Sequence, residues 1–307
     1  MSTLLLIEQI LNGLQFGMML FLMSAGLTLV FGVMGLINLA HGSLYMIGAF
    51  VAASMAAVTG SFFLALIAAL AAAAAAAAGV LVEMLVIRRL YDRDHLDQVL
   101  ATFALILIFS EGTRYIFGSF PLFLDAPSYL SGSVELFGGI QYPAYRLAII
   151  AIGLVVMVGL FLLISKTRLG IQIRAGESDR EMIAALGVDI SRLYTIVFAA
   201  GAALAGFAGA MVGAIQAVQV GMGEPVLILA FVVIVIGGIG SIKGALIGSL
   251  LVGLTDTLGR FLLPAMLGTF MEPSAATSVG SSIASMLIYI LMAGVLILRP
   301  SGLFGKA

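Results

Sequence analysis

The sequence predicts an all-α, polytopic integral membrane protein with about 8–10 transmembrane helices and Gly-rich broken helices among them. Hydrophobic residues make up 62% of its 307 positions, and charged residues only 9%. A soluble chain usually carries about 25% charged residues, so this composition excludes the soluble class. Apolar runs of roughly 20 residues, the length that crosses a hydrocarbon core, recur along the whole chain. We therefore expect one transmembrane domain over residues 1–307.

The predicted spans follow the apolar runs in chain order. No basic residue precedes the first run, which therefore lacks the charged start of a signal peptide and is interpreted as a retained span. The short run 224–240 and the uncharged joint at 33–37 leave the span count open between eight and ten. The predicted spans are residues 8–32, 36–58, 61–87, 98–118, 144–165, 192–216, 224–240, 244–263 and 279–298.

Basic residues in the loops predict how the chain is oriented in the membrane. Eleven of the 14 Lys and Arg residues fall in loops on one side of the membrane, and the positive-inside rule makes that side cytoplasmic. The N-terminus is then outside and the C-terminus inside. The eleven residues are Arg88, Arg89, Arg93, Lys166, Arg168, Arg174, Arg180, Arg192, Lys243, Arg299 and Lys306, against Arg114, Arg146 and Arg260 on the other side.

The two longest loops are predicted on opposite sides of the membrane. Residues 119–143 form the extracytoplasmic loop, whose Pro, Gly and Ser residues allow short strands or a small interfacial helix. This loop is interpreted either as a solvated connection or as a docking surface for an external partner. Residues 166–192 form the cytoplasmic loop, and within it the sequence ESDREMIAALG, residues 177–187, is here called the coupling segment.

The coupling segment carries the signals of a short helix over about 179–186. Ser178 and Glu181 have the spacing of a capping box, in which each side chain bonds to the other's free backbone N–H. Asp179 and Glu181 place negative charge in the first turn, where the helix dipole favours it. Gly187 follows as a helix C-terminal stop.

Three apolar residues give this helix one hydrophobic side: Met182, Ile183 and Leu186. A helix of about two turns is marginal alone in water, so something must pack against that side. Two interpretations remain open. The helix folds back on its own bundle at the membrane interface, or it inserts into a partner.

Polar residues also follow the first predicted span, in the sequence NLAHGS. Polar side chains at membrane depth are costly and usually face the bundle interior or a water path. One interpretation is that they hydrogen-bond neighbouring helices at a tight turn. The other is that they shape the gate of a translocation path. The residues concerned are Gly35, Asn38, His41, Gly42 and Ser43.

A second Gly-rich break, GGIG, separates the runs 224–240 and 244–263. Transporters often place interrupted helices at the substrate path, which makes Gly237, Gly238 and Gly240 candidates for the same gate. The alternative is close helix packing, for which glycines leave room.

The remaining ionisable residues argue against two other functional classes, namely proton-coupled transporters and intramembrane enzymes. Glu111 and Arg114 lie three positions apart, and Asp256 and Arg260 four apart, so each pair shares a helix face and is interpreted as self-neutralising. No unpaired acid sits clearly mid-membrane, as a proton relay would require. The chain has no Cys and only two His, which leaves little for an intramembrane enzyme. Asp92, Asp94, His95 and Asp97 could ligate a metal, but a solvated turn is the preferred interpretation, and no metal site is predicted.

Three stretches resemble the branched-chain amino acid permeases of the LivH type, which are subunits of ABC importers. GLTLVFGVMGLINLAHGSLYMIGAF, residues 26–50, is similar to their first signature, and GGIGSIKGALIGSLLVG, residues 237–253, to their second. RAGESDREMIAALGVDISRLY, residues 174–194, resembles their coupling loop. Its part from Glu181 to Gly187 resembles the E-A-A-x-x-x-G motif, with Glu and Gly at matching spacing but without both alanines.

The resemblance implies a division of labour. The chain would be a permease rather than an enzyme, and it would move a small amino acid, most simply leucine, isoleucine or valine, across the inner membrane of a bacterium. Its partners would be two ATP-binding subunits, a second related permease, a periplasmic solute-binding protein and membrane lipid, with no nucleic acid. The residues implied in ATPase coupling are Glu177, Ser178, Asp179, Arg180, Glu181, Met182, Ile183, Ala184, Leu186 and Gly187.

Cofactor binding is expected outside this chain. The sequence contains no G-x-x-x-x-G-K-[ST] phosphate loop, so ATP and Mg²⁺ would be bound by the partner subunits. Other substrates remain open, namely other amino acids, amides, urea and aromatic acids. An ion-coupled secondary transporter and a passive channel remain as alternative functions.

Overall fold

The protein is described here by a computed structural model covering residues 3–60, 63, 66–67, 69–70, 73, 77–91 and 93–305. In this part of the chain helices dominate, which confirms the all-α class. The predicted span 61–87 lies partly outside the described residues, as do Asp92 and Lys306. The α-helices are α1 (Thr3–Met34), α2 (His41–Thr59), α3 (Ala77–Leu85), α4 (His95–Phe117), α5 (Ala144–Lys166), α6 (Arg168–Ser178), α7 (Arg180–Ala185), α8 (Ile190–Val212), α9 (Gly223–Gly237), α10 (Ile242–Leu267) and α11 (Pro273–Leu298).

Seven of the described helices are long and apolar enough to cross a membrane, namely α1, α2, α4, α5, α8, α10 and α11. Helix α9 is equally apolar but has only 15 residues, which is shorter than the roughly 20 needed to cross a bilayer. The polytopic architecture is therefore confirmed, and the structure identifies α9 as a helix that stops short.

Both Gly-rich breaks are present. Helix α1 ends at Met34, Gly35 takes a left-handed backbone with φ of +65°, and α2 begins at His41. Helix α9 ends at Gly237, and the chain then turns through Gly238 and Gly240, whose φ angles are +98° and +78°. Only glycine adopts such angles without steric cost, which explains why the breaks are glycine-rich.

The predicted extracytoplasmic loop contains a small hairpin. Strand β1 (Ser133–Glu135) pairs antiparallel with β2 (Gln141–Pro143), and the connection between them includes the 3₁₀ turn Phe137–Gly139. Short strands were among the structures that the sequence allowed for this loop.

The described chain forms two compact units. The first comprises Met1–Phe21, Ser128–Leu154 and Leu229–Ala307. In it α10 packs along α11, where Gly280 lies directly against the ring of Pro264. The start of α1 packs on α10, with Gly17 against the backbone of Leu250. Asn12 accepts hydrogen bonds from Tyr142 at 3.1 Å and from Arg146 at 2.6 Å, which attaches the hairpin and the start of α5 to α1.

The second unit comprises Leu22–Pro127 and Val155–Ile228, and α2 and α8 form its centre. Gly48 of α2 lies against the backbone of Gly206, and Gly209 of α8 lies against the carbonyl of Tyr45. Both contacts are too close for a Cβ atom. In membranes helices associate by such close packing of small residues.

We predict that Gly209→Val strongly destabilises the protein, because a side chain at this position overlaps the Tyr45 carbonyl. Overpacking of a tight contact costs about 1–3 kcal/mol or more. The measurement is the thermal midpoint and the yield of monodisperse protein in detergent. Gly159→Val is the control, because nothing lies within 4 Å of a Cβ at Gly159. Equal midpoints for the two variants would contradict the packing described for α2 and α8.

Candidate functional site

The segment around the predicted coupling helix is built on the end of α5. Gly170 lets the first turn of α6 lie directly over the last carbonyls of α5, because a Cβ there would overlap the backbone of Leu163 and Ile164. Thr167 caps α6 by accepting a hydrogen bond from the Gly170 N–H at 3.0 Å. Arg174 of α6 donates to the Ile164 carbonyl. Helix α6 is therefore fixed to the end of α5.

The helix of the coupling segment is α7, and its cap corrects the sequence prediction. The N-cap is Asp179, whose Oδ1 accepts from the N–H groups of Glu181 at 3.1 Å and Met182 at 2.9 Å. Ser178 is the last residue of α6, so its backbone is helical, whereas an N-cap needs the extended backbone that Asp179 adopts. The predicted capping box of Ser178 and Glu181 is therefore wrong.

The predicted stop at Gly187 is confirmed. Gly187 has φ of +87°, its N–H bonds to the Ala184 carbonyl at 3.0 Å, and the Val188 N–H bonds to the Ile183 carbonyl at 3.3 Å. These are the two bonds of a Schellman motif, which satisfies the last carbonyls of a helix.

The apolar residues of α7 point in two directions. Ile183 is only 5% exposed, so it packs within the chain, whereas Met182 is 60% and Leu186 is 77% exposed. Met182 and Leu186 lie four positions apart and share one face, while Ile183 is rotated from Met182 by about 100°. The sequence predicted that the three residues share one apolar side, but the structure separates the buried Ile183 from the exposed Met182 and Leu186.

The other members of the coupling segment are exposed. Asp179, Arg180, Glu181 and Ala184 are exposed, and Glu177 is half-buried at the end of α6. Their role in coupling stays a prediction.

Buried polar groups lie at the start of α2. Asn38 and His41 are 0% exposed and Ser43 is 3% exposed. The His41 ring lies beside the backbone of Met23. Among the described residues, none gives a hydrogen bond of ordinary geometry to either ring nitrogen of His41 or to the polar side-chain atoms of Asn38 and Ser43. A buried polar group without a partner costs about 1–3 kcal/mol, which makes a purely structural role expensive.

The glycines of the two breaks have different surroundings. Gly35 is exposed at the surface, and Gly42 is pressed against the backbone of Gly223. Gly237 lies against Gly244, and Gly238 lies against Gly305, where the Phe304 N–H bonds to the Gly237 carbonyl at 2.9 Å. Close packing explains these contacts, and a role in a translocation path stays a prediction.

A buried carboxylate connects α3 to α8. The Glu83 side chain is 0% exposed and accepts a bidentate pair from Arg88, at 3.1 and 2.9 Å. It also accepts from the Tyr91 hydroxyl at 2.6 Å and from the Thr195 hydroxyl at 2.9 Å. Burial, followed by the bond to Glu83, raises the pKa of Tyr91, which therefore remains a donor. Thr195 lies 112 positions along the chain from Glu83, so sequence spacing does not reveal this contact.

The two predicted self-neutralising pairs are present. Arg114 and Glu111 are 2.6 Å apart, and Arg260 and Asp256 are 2.9 Å apart. No group of three or more His, Asp or Glu side chains suited to a metal occurs among the described residues, which omit Asp92.

Comparisons with known proteins give one consistent family. Residues 9–296 match the family described as branched-chain amino acid transport system / permease component. The chain is 31% identical to the high-affinity branched-chain amino acid transport system permease protein BraD of Pseudomonas aeruginosa, over 98% of this chain and 96% of the relative. No solved structure matches the chain.

Two further relatives are similar over nearly as much of their length. Identity is 27% to the high-affinity permease protein LivH of Escherichia coli, over 98% of this chain and 96% of the relative. Identity is 28% to a probable branched-chain amino acid transport permease protein LivH of Methanocaldococcus jannaschii, over 92% of this chain and 90% of the relative.

We predict that Asp179→Ala loosens α7, whereas Ser178→Ala does not. Loss of an N-cap costs about 1 kcal/mol, which raises the equilibrium population of the open helix about fivefold. Hydrogen exchange of the amides of residues 181–186 measures this opening. Asp179→Ser retains a capping oxygen and serves as the control. Faster exchange in Ser178→Ala than in Asp179→Ala would contradict this prediction and support the capping box of Ser178 and Glu181.

Proposed function

Because the chain belongs to the family of permease components of branched-chain amino acid transport systems, we propose that it is the membrane-spanning subunit of an ABC importer. The observation that carries the proposal is the family match over residues 9–296, in a chain with seven membrane-length helices. The chain itself is a transport subunit, and ATP hydrolysis takes place in other subunits.

The proposed substrates are leucine, isoleucine and valine. The names of the three relatives all specify branched-chain amino acid transport. In the described spans, Glu111 is neutralised by Arg114 and Asp256 by Arg260, which suits passage of a zwitterion with an apolar side chain.

The proposed assembly contains two ATP-binding subunits, which hold ATP and Mg²⁺, and a second, related permease. A solute-binding protein delivers the substrate on the outer side, where the loop 119–143 carries exposed Phe120, Phe123 and Tyr129. The distribution of basic residues supports an outer N-terminus and a cytoplasmic C-terminus.

Met182 and Leu186 of α7 are the proposed contact with the ATPase. They are exposed apolar residues on a helix fixed at both ends by caps, and Ile183 holds that helix to the second unit. Movement of α7 would reach α8, which begins at Ile190, and then α2, which packs along α8. His41 at the start of α2 and Asn38 just before it are the proposed gate.

Transport tests the proposal directly. The chain is co-expressed with a second permease, ATP-binding subunits and a solute-binding protein of the same organism, and uptake of labelled leucine into proteoliposomes is measured. We expect uptake that requires the binding protein and stops when ATP hydrolysis is blocked. Uptake at the full rate without a nucleotide-hydrolysing subunit would overturn the proposal.

Met182→Ala combined with Leu186→Ala is expected to weaken retention of the ATPase subunit tenfold or more, about the effect of losing an interface hot spot. ATP hydrolysis stimulated by the loaded binding protein falls with it. The measurements are co-purification and phosphate release. Ile108→Ala is the matched control, because Ile108 is 64% exposed on the membrane-spanning α4. Normal coupling in the double variant would exclude these residues as the contact.

A further inference from the structure

The hydroxyl group that connects α8 to the buried carboxylate of Glu83 has a second acceptor within reach. Thr195 Oγ1 lies 2.9 Å from Glu83 Oε2 and 3.0 Å from the carbonyl oxygen of Ser191, one turn earlier in α8. A hydroxyl carries a single proton, so it donates to one of these oxygens at a time. Thr195 therefore has two alternative bonds, one to α3 and one within its own helix.

Withdrawal of Thr195 leaves the carboxylate with partners. Arg88 donates two bonds to Glu83, at 3.1 and 2.9 Å, and the Tyr91 hydroxyl donates a third at 2.6 Å. Arg88 also donates to Thr195 at 3.0 Å, but its side chain is 38% exposed, so water can replace that bond. The Thr195 hydroxyl then bonds to Ser191, as threonines in helices commonly do. The contact can open without leaving an unpaired buried charge, which would be costly.

The packing around Thr195 also permits movement between α3 and α8. A Cβ atom at Gly79 of α3 would meet the Ala202 Cβ at 3.5 Å, which is an ordinary van der Waals distance. By contrast, α8 interlocks with α2, where Gly48 and Gly206 are too close for any side chain. We therefore expect α2 and α8 to move together and the contact with α3 to be the one that changes.

We propose that Thr195 is a positioning residue for coupling: its bond to Glu83 holds α8 against α3 in the resting transporter, and its transfer to the Ser191 carbonyl releases α8 when α7 is displaced. Glu83, Arg88, Tyr91 and Thr195 are here called the latch. A bond to a carboxylate is stronger than a bond to a carbonyl, so the closed latch is the resting arrangement. The inference rests on the proposed function, because the displacement of α7 comes from the ATPase.

Thr195→Val tests the latch, because valine retains the shape of threonine and removes the hydroxyl. Loss of a bond to a charged group shifts an equilibrium about tenfold or more, here toward the open latch. In the complete transporter we expect ATP hydrolysis without the loaded binding protein to rise, and the number of leucine molecules imported per ATP to fall severalfold. Thr195→Ser keeps the hydroxyl and restores the native ratio.

Thr102→Val is the matched control. Thr102 is buried in α4, and its bonds to the described residues go to carbonyls of its own helix, Gln98 at 2.7 Å and Val99 at 3.2 Å. This variant therefore loses the same kind of bond within a helix but none to a carboxylate, and we expect its import per ATP to be native.

Thermal midpoints distinguish a latch from a bond that only stabilises the fold. For a latch, Thr195→Val has a midpoint close to that of Thr102→Val, while its import per ATP falls. A bond that only stabilises the fold would lower the midpoint and the uptake together and leave import per ATP unchanged. That result would overturn the inference, as would a Thr195→Ser variant that behaves like Thr195→Val.

Hydrogen exchange tests the release itself, on the permease–ATPase complex without a transported solute. Addition of a non-hydrolysable ATP analogue is expected to speed exchange in residues 87–91, which comprise the 3₁₀ turn Ile87–Leu90 and Tyr91. In Thr195→Val these amides exchange fast with and without the analogue. Exchange that the analogue leaves unchanged in the native complex would overturn the latch. Uptake of leucine by the native transporter tests the proposed function separately.

Discussion

Two apolar helices in a hydrocarbon solvent gain little from the hydrophobic effect, because lipid tails are as apolar as leucine side chains. Their association depends on how closely the backbones approach. In the second unit this approach is made by α2 and α8, where Gly48 meets Gly206 and Gly209 meets the Tyr45 carbonyl. The same α8 carries Thr195, which binds the buried carboxylate of Glu83. Helices α3, α6 and α7 also contact α8, and α4 contacts α2, so these elements are built against the same pair.

Under the proposed function, the same contact would connect the coupling segment to α2. Helix α7 is capped by Asp179, ends in a Schellman motif at Gly187, and is followed by α8. Caps at both ends satisfy terminal backbone groups of α7, which helps to keep so short a helix ordered. His41 begins α2, the helix that packs against α8, and Asn38 lies three residues before it.

The helices were predictable because the length of an apolar run can be read from consecutive residues. The breaks at Gly35 and Gly238 were predictable because glycines interrupt these runs in the sequence. The cap of α7 was not, because Ser178 and Asp179 are both good capping residues, and only the fold decides which of them has an extended backbone. A cavity of about 510 Å³ beside the coupling segment was equally hidden from sequence analysis, since four separate stretches of the chain line it. The burial of Ile183 was not predictable either, because sequence spacing does not show where α6 and α8 lie relative to α7.

The residues that follow α11 have a consequence for biosynthesis. The Leu303 and Phe304 N–H groups bond to the carbonyls of Ile236 and Gly237, and Gly302 fits directly against Gly238. The first unit therefore gains these packing partners only after α11 has been synthesised. A nascent chain that stops after α11 leaves two carbonyls of α9 without these donors and a gap beside Gly238.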